Sequence, residues 1–271
     1  MLSKLLKHEF TATWRVPVAL DALLIVLGIM AHFVIKSIPL VEDSVGVYVI
    51  LFSLIAIYYI GIIAANIIVQ IFLVMRYYRN LYTSEGYLTF TLPVRTSHII
   101  NAKVINGYIW ILLSGICTVA SLFIAAIGLV DAADIPVYEL REFATEIGTL
   151  FGINDPGFIV TLLLTVLISS LSAILGLYFS VTVGQLWQKH KILGAVLCYV
   201  GIYIINQIGA QISFLSSGYF RMLTGSGTDF DAAFSGLYGR ILTSTTIFSL
   251  VMVVIYYTGC ILITKKKINL D

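Results

Sequence analysis

Charged residues are scarce in this sequence of 271 residues, at 11% of the chain, whereas 59% of the residues are hydrophobic. Soluble domains carry about 25% charged and about 45–50% apolar residues. The mean hydropathy is +1.00, and so few charges cannot cover the surface of a soluble domain. The composition therefore excludes an ordinary soluble protein and predicts an all-α integral membrane protein.

Cysteine is also rare, and its three copies, Cys117, Cys198 and Cys260, each lie inside an apolar stretch. Their spacing fits neither a disulfide framework nor a metal site. We interpret them as small buried hydrophobic residues.

Catalytic motifs are missing as well. His8 and Glu9 are not followed by a second histidine four residues later, as a zinc-binding helix requires. The glycine-rich stretch 224–228 lacks the lysine of a phosphate-binding loop, and no histidine is placed to activate a serine nucleophile. We therefore expect no enzymatic activity, no metal and no cofactor in this chain.

Long apolar runs are what the sequence does contain. We predict membrane spans at residues 16–38, 46–75, 99–130, 157–184, 192–215 and 241–264. Each exceeds the roughly 20 residues that a helix needs to cross a bilayer. Together they predict a single six-span domain, with no second soluble domain.

Residues 1–15 predict an amphipathic helix that lies in the membrane surface before the first span. Charged residues alternate there with apolar ones at helical spacing, namely Leu2, Leu5, Leu6, Phe10 and Trp14. A disordered tail is the alternative interpretation.

Asp21 is an acidic residue about one and a half turns inside the first span. A charge at mid-bilayer costs about 2.5–3.5 kcal/mol on insertion scales, and a shallower position costs less. Either a structural contact with interfacial water or a neighbouring helix, or a functional role, would explain this residue.

Basic residues are distributed unevenly among the connections. If the N-terminus is cytoplasmic, the cytoplasmic side holds Lys4, Lys7, Arg15, Arg76, Arg79, Arg95, Lys103, Lys189, Lys191 and Lys265 to Lys267. The other side holds only Lys36, Arg141, Arg221 and Arg240. Because cytoplasmic loops are enriched in lysine and arginine, both termini are predicted to be cytoplasmic.

Residues 76–97, RYYRNLYTSEGYLTFTLPVRTS, are too basic for a bilayer and too aromatic for a plain linker. Gly86 and Pro93 interrupt any long helix. We predict a short amphipathic helix over residues 76–84, a turn at Glu85 and Gly86, and a strip that ends at Pro93. Such a cytoplasmic segment between two membrane helices is suited to bind a partner protein.

Polar side chains form stripes on two predicted membrane helices. The second span carries Tyr58, Tyr59, Asn66 and Gln70, and the fifth carries Tyr199, Tyr203, Asn206, Gln207 and Gln211. Because an unpaired amide in hydrocarbon costs several kcal/mol, these groups must face protein or water. They either form hydrogen bonds between helices or line a path for an amphiphilic cargo, or a dimer seam beside it.

The run YYRNLYTSEGYLTFTLPV, the amphipathic start LLKHEFTATWR and the spacing of the spans carry a family resemblance. The chain resembles the permease subunit of ABC-2 type ATP-binding-cassette exporters, in its short six-span bacterial form. The resemblance implies an exporter subunit in the bacterial plasma membrane. Its cargo would be amphiphilic or hydrophobic: a peptide, a lipid or a drug.

The resemblance also implies partners. A separate ABC ATPase subunit would bind ATP and magnesium, and a second permease copy, identical or a sister chain, would complete the unit within membrane lipid. Nucleic acid is not expected as a partner. In this family spans two and five face the seam, which favours the path interpretation of the two stripes. The residues implied at the ATPase contact are Arg76, Tyr77, Arg79, Asn80, Tyr82, Glu85, Gly86, Tyr87, Phe90, Trp187 and Lys189.

A competing function is a sensor or resistance subunit that binds an antimicrobial peptide without transporting it. The acidic loop at residues 131–155 could attract a cationic peptide, although a solvated loop is the ordinary explanation for such charges. An ion-coupled transporter would need buried ionisable residues near mid-membrane. Apart from Asp21 the predicted spans contain almost none.

Overall fold

The structure, a computed structural model, describes residues 2–40, 45–83, 86, 96–151, 153, 156–187, 189–217 and 230–266. The first four helices are α1 (Leu2–Thr13), α2 (Arg15–Lys36), α3 (Val45–Tyr82) and α4 (Thr96–Ala132). The next four are α5 (Val137–Leu150), α6 (Pro156–Gly184), α7 (Lys191–Ser216) and α8 (Phe230–Lys266). A 3-10 turn, Ile38–Leu40, follows α2, and no strand occurs in the described ranges, which confirms the all-α prediction.

In the part of the chain that the structure describes, six helices are long and apolar enough to cross a membrane, so the chain is a multi-pass membrane protein. They are α2, α3, α4, α6, α7 and the part of α8 over Gly236–Lys265. At 1.5 Å per residue, the 38 residues of α3 extend about 57 Å. Because the hydrocarbon core is only about 30 Å thick, α3 extends beyond it.

Two helix boundaries differ from those expected. The short helix predicted over residues 76–84 is the end of α3, which continues without interruption to Tyr82. No proline lies between Pro39 and Pro93, so nothing in the sequence ends the helix earlier. Helix α8 begins at Phe230, before residue 241, where the sixth span is predicted to start.

A proline explains why α1 and α2 are separate helices. Trp14, the single residue between them, keeps helical backbone angles, and its N–H donates to the Phe10 carbonyl at 3.1 Å. Pro17 has no N–H to donate to the carbonyl of Thr13, four residues earlier. The missing hydrogen bond accounts for the break between the surface helix and the first span.

The chain divides into two compact units, and α3 contributes to both. Unit 1 comprises Met1–Arg76 and Asn101–Leu140. The buried face of α2 repeats every three or four residues, which is the spacing of one helical face. Side chains from α2, α3 and α4 form the core of this unit, namely Leu24, Ala31, Ile35, Tyr58, Ile62, Ala65 and Ala125.

The close approach of α2 and α4 depends on two glycines. A Cβ atom on Gly28 would lie 2.8 Å from the carbonyl oxygen of Ser121, and one on Gly128 would lie 2.7 Å from that of His32. The Ser121 hydroxyl donates to the Leu24 carbonyl at 2.8 Å. Small residues and hydrogen bonds between helices drive association in lipid, where the hydrophobic effect contributes little.

Unit 2 comprises Tyr77–Ile100 and Arg141–Asp271, and within it α6 packs against α7 and α8. A Cβ atom on Gly184 would lie 2.5 Å from the backbone nitrogen of Ala195, so α6 and α7 are close at this end. The hydroxyls of Thr165 and Thr246 lie 2.6 Å apart and join α6 to α8.

We predict that Gly28→Ala lowers the stability of the protein by about 1–3 kcal/mol, the usual cost of overpacking, because the new methyl group would clash with Ser121. The thermal midpoint of the detergent-solubilised protein measures this effect. Gly115→Ala is the control, since a Cβ atom there meets nothing within 4 Å. A neutral Gly28→Ala would contradict the close packing.

Candidate functional site

The predicted partner-binding segment begins on α3 and ends at α4. Glu85, Tyr87 and Phe90 lie outside the described residues. Gly86 is buried, and its N–H donates to the Thr83 carbonyl at 2.7 Å. The structure therefore describes mainly the beginning and the end of this segment.

In unit 1, both flanks of the segment meet a single carboxylate on α1. Glu9 accepts a hydrogen bond from Lys103 Nζ at 2.7 Å and another from Arg76 Nε at 3.2 Å. Arg76 also donates to the carbonyl of Ala12 at 3.3 Å. Because Arg76 lies near the end of α3 and Lys103 near the start of α4, α1 holds the two flanks together.

The charges of this cluster are largely removed from water. The side chains of Lys103 and Glu9 are only 5% and 13% exposed. Burial alone would raise the pKa of Glu9, but the ion pairs and hydrogen bonds with Lys103 and Arg76 outweigh it and lower the pKa below its usual value. Glu9 is therefore ionised at neutral pH and attracts both cations.

A second contact seats α1 against α4. The Thr13 hydroxyl donates to Asn106 Oδ1 at 3.1 Å, and Trp110 Nε1 donates to the Thr13 oxygen at 3.1 Å. The rings of Phe10 and Trp110 lie 6.0 Å apart. These contacts join α1 to α4 through apolar and polar groups, in addition to the position in the membrane surface that its amphipathic pattern predicts.

In unit 2, the beginning of the segment is held by tyrosines. Tyr77 is buried and stacks on Tyr178 of α6, with ring centroids 4.0 Å apart. Its hydroxyl and that of Tyr82 each lie 3.1 Å from the hydroxyl of Thr182. Tyr82 also contacts the Thr264 hydroxyl at 3.4 Å, which links the end of α3 to α6 and α8. Thus Tyr77 and Tyr82 join the segment to other helices of the same unit.

The remaining predicted contact residues are placed differently. Arg79 is exposed and Asn80 half-buried near the end of α3. Trp187 and Lys189 are exposed on the short turn between α6 and α7. The turn borders an open cavity of about 640 Å³, which Tyr78 and Lys189 help to line.

The polar stripe on α3 divides into inward and outward groups. The Tyr58 hydroxyl is 3.0 Å from that of Ser121, and Asn66 Nδ2 donates to Thr118 at 3.0 Å. These two side chains therefore form hydrogen bonds between helices. Tyr59 is 54% exposed and Gln70 is half-buried.

The polar stripe on α7 lies on the outside of the chain. Its five predicted members are all exposed, and within the stripe Gln207 Nε2 donates to the Tyr203 hydroxyl at 3.4 Å. Because α7 is apolar enough to cross a membrane, these amides and hydroxyls need a polar or protein neighbour there. The members are Tyr199, Tyr203, Asn206, Gln207 and Gln211.

Asp21 is buried on the face of α2 that packs in unit 1, near Ser114 of α4. Among the described residues, neither its carboxylate oxygens nor the Ser114 hydroxyl has a hydrogen-bond partner. The structure shows Asp21 buried beside Ser114, and both the structural and the functional interpretation of this residue stay predictions.

Within the described ranges, no three histidine, cysteine or carboxylate side chains come together as a metal site requires. Comparisons of the chain with family models, curated proteins and solved structures give no match. The function therefore has to be inferred from the residues themselves.

Glu9 is the important residue that sequence patterns did not identify. No spacing rule connects it with Arg76 or Lys103, which are distant along the chain. The one available signal is that Glu9 is the only acidic residue among the first 20, where Lys4, Lys7 and Arg15 are basic. A lone carboxylate beside a predicted basic surface is a reasonable ion-pair candidate.

We predict that Glu9→Gln lowers stability at neutral pH by about 2–3 kcal/mol, the usual scale for hydrogen bonds to charged groups. The physical reason is that Lys103 and Arg76 lose the carboxylate that both contact. Thermal unfolding in detergent measures the loss. Glu146→Gln, at an exposed position of α5, should change little.

The pH dependence gives a further check on the same pair of variants. Because the pKa of Glu9 is lowered in the folded chain, its contribution is complete above the usual carboxyl pKa of about 4.3 and declines as the pH falls through the lowered value. The advantage of the wild type over Glu9→Gln should therefore shrink below about pH 4. An advantage that is unchanged there would contradict an ionised Glu9.

Proposed function

We propose that this protein is the permease subunit of an ABC-type exporter, which moves an amphiphilic or hydrophobic cargo across the bacterial plasma membrane. A separate ATPase subunit would bind ATP and magnesium and supply the energy. The observation that carries this proposal is that Glu9 of α1 contacts both Arg76, where the segment begins, and Lys103, just beyond its end. A segment tied in this way can pass a partner's movement to membrane helices.

The distribution of charge supports the orientation in this proposal. Arg76, Arg79, Lys103 and Lys189 fall in the connections that the positive-inside rule assigns to the cytoplasm. Both termini would lie on that side, where an ATPase has access to ATP. Residues 76–97 and the α6–α7 turn would then face the same compartment.

Coupling would proceed through the beginning of the segment, which is the end of α3. Arg79, exposed on the last turns of α3, is suited to an ionic contact with the ATPase. Tyr77 and Tyr82 connect the same turns to Thr182 of α6, and Arg76 connects them to α1. A partner whose nucleotide states favour different positions of the segment would thereby shift the helices between two arrangements.

A second permease copy would cover the polar stripe of α7. Tyr203 is 56% exposed, and the exposed Gln207 and Gln211 carry amides that both donate and accept hydrogen bonds. Such groups are costly in lipid, and the same stripe on another copy, or a sister permease, would satisfy them. The cargo path would run beside this seam.

The acidic helix α5 is the observation that favours a sensor or resistance subunit instead. Glu139, Glu142 and Glu146 are exposed on it, and would attract a cationic antimicrobial peptide outside the cell. Peptide movement in sealed vesicles separates the functions, because a sensor binds the peptide without moving it.

We predict that Arg79→Glu separates the permease from its ATPase. The full-length tagged protein, purified from its source membranes in mild detergent, should bring along an ATP-binding subunit that hydrolyses MgATP. Reversing the exposed charge should reduce this copurified activity at least about tenfold, the effect of about 1.4 kcal/mol. The thermal midpoint is measured on the same samples, so that a loss of the contact with the ATPase is distinguished from a loss of folding.

Arg141→Glu is the matched control, because it reverses an exposed arginine on α5, far along the chain from the segment. Its copurified activity should remain within about twofold of the wild type, a change of under about 0.5 kcal/mol. Equal copurification with Arg79→Glu and the wild type would count against the coupling role. Transport by the purified chain alone in liposomes would overturn the proposal.

A further inference from the structure

The open cavity of about 640 Å³ beside the α6–α7 turn combines basic, aromatic and apolar side chains. We propose that it binds the phosphate headgroup of an anionic phospholipid from the surrounding membrane. Lys189 and Lys191 supply the basic part of the lining, His190 adds an imidazole ring, and Tyr78 adds an aromatic ring. Ile192, Leu193 and Val196 of α7 supply the apolar part.

The cavity lies at the depth where headgroups are found. Helix α6 ends at Gly184 and α7 begins at Lys191, and both are long and apolar enough to cross the membrane. The turn between them therefore lies at the membrane surface. Tyr78 is one helical turn from the end of α3, and tyrosine is enriched at the level of the headgroups.

The apolar side of the cavity already belongs to the lipid-facing surface. Ile192 is 71% exposed, and Leu193 and Val196 are more than half exposed. On a membrane helix such side chains contact acyl chains. A phospholipid whose chains lie along α7 would thus bring its phosphate to the level of Lys189.

The turn has its position fixed by contacts of its own. The ring of Trp187 lies against Gly194, where a Cβ atom would be 3.1 Å from Trp187 Cγ. The Trp187 N–H donates to the Gly184 carbonyl at 3.2 Å, and the Gly194 N–H donates to the His190 carbonyl at 2.9 Å. These contacts restrict Trp187 and His190, which lie before and after Lys189 in the turn, and such preorganisation lowers the cost of binding.

Charge determines which lipid fits. No carboxylate lines the cavity among the described residues, so Lys189 has a negative phosphate as its natural partner. A choline headgroup would bring its own cation towards Lys189 and weaken the attraction. Basic pockets between membrane helices bind anionic headgroups in this way, so phosphatidylglycerol should be preferred over phosphatidylcholine.

The test is lipid retention by the full-length protein, measured by native mass spectrometry after equilibration with equal amounts of phosphatidylglycerol and phosphatidylcholine in detergent. The wild type should retain phosphatidylglycerol preferentially. Lys189→Gln should retain about fivefold less, the effect of one surface cation. Lys7→Gln removes the same charge from an exposed position of α1 and should lose less than about twofold, since it lies outside the cavity.

Two further measurements separate the site from simpler explanations. Val196→Trp fills the cavity without changing charge and should also reduce retention, while excess inorganic phosphate should not displace the lipid. Equal losses in Lys189→Gln and Lys7→Gln, an unaffected Val196→Trp variant, or displacement by phosphate would each overturn the proposal. No ATPase is needed, so the outcome is independent of the exporter assignment.

Discussion

A carboxylate withdrawn from water costs several kcal/mol unless it meets opposite charge, and Glu9 meets two cations. Lys103 and Arg76 approach it to 2.7 and 3.2 Å, one from the start of α4 and one from near the end of α3. Displacing α1 would separate the Glu9 carboxylate from both cations where little water could replace them. The ion pairs therefore keep α1, α3 and α4 in one arrangement at this point, or the three helices have to move together.

The tyrosines give the same stretch of α3 a second kind of attachment. Tyr77 stacks on Tyr178, and the hydroxyls of Tyr77 and Tyr82 both contact the hydroxyl of Thr182. This attachment therefore consists of ring packing and neutral hydrogen bonds, whereas the attachment to α1 consists of ion pairs. One helix thus carries adjacent residues, Arg76 and Tyr77, that belong to different compact units. A force applied to the following residues would reach both units through the covalent chain, which supports a role in coupling.

Hydropathy was sufficient to predict the six spans, because a bilayer imposes length and apolarity on each helix separately. It did not define the helix Val137–Leu150, because that helix is amphipathic and lies within the acidic connection at residues 131–155. The continuation of α3 to Tyr82 was missed because a change from apolar to basic residues marks the membrane boundary, while the helix itself has no reason to stop. The ion pairs of Glu9 could not be predicted, because only folding brings Arg76 and Lys103 close to it. The close approach of Gly28 to α4 could not be predicted either, because the spacing of residues along α2 does not show which helix lies against it.

The most direct test of the account is the side of the membrane on which residues 76–97 lie. In a chain whose native cysteines are replaced, Ser84→Cys would be treated with a membrane-impermeant thiol reagent in intact cells and in permeabilised cells. The proposed exporter architecture predicts labelling only after permeabilisation, because a cytoplasmic ATPase must reach this segment. Labelling in intact cells would contradict it.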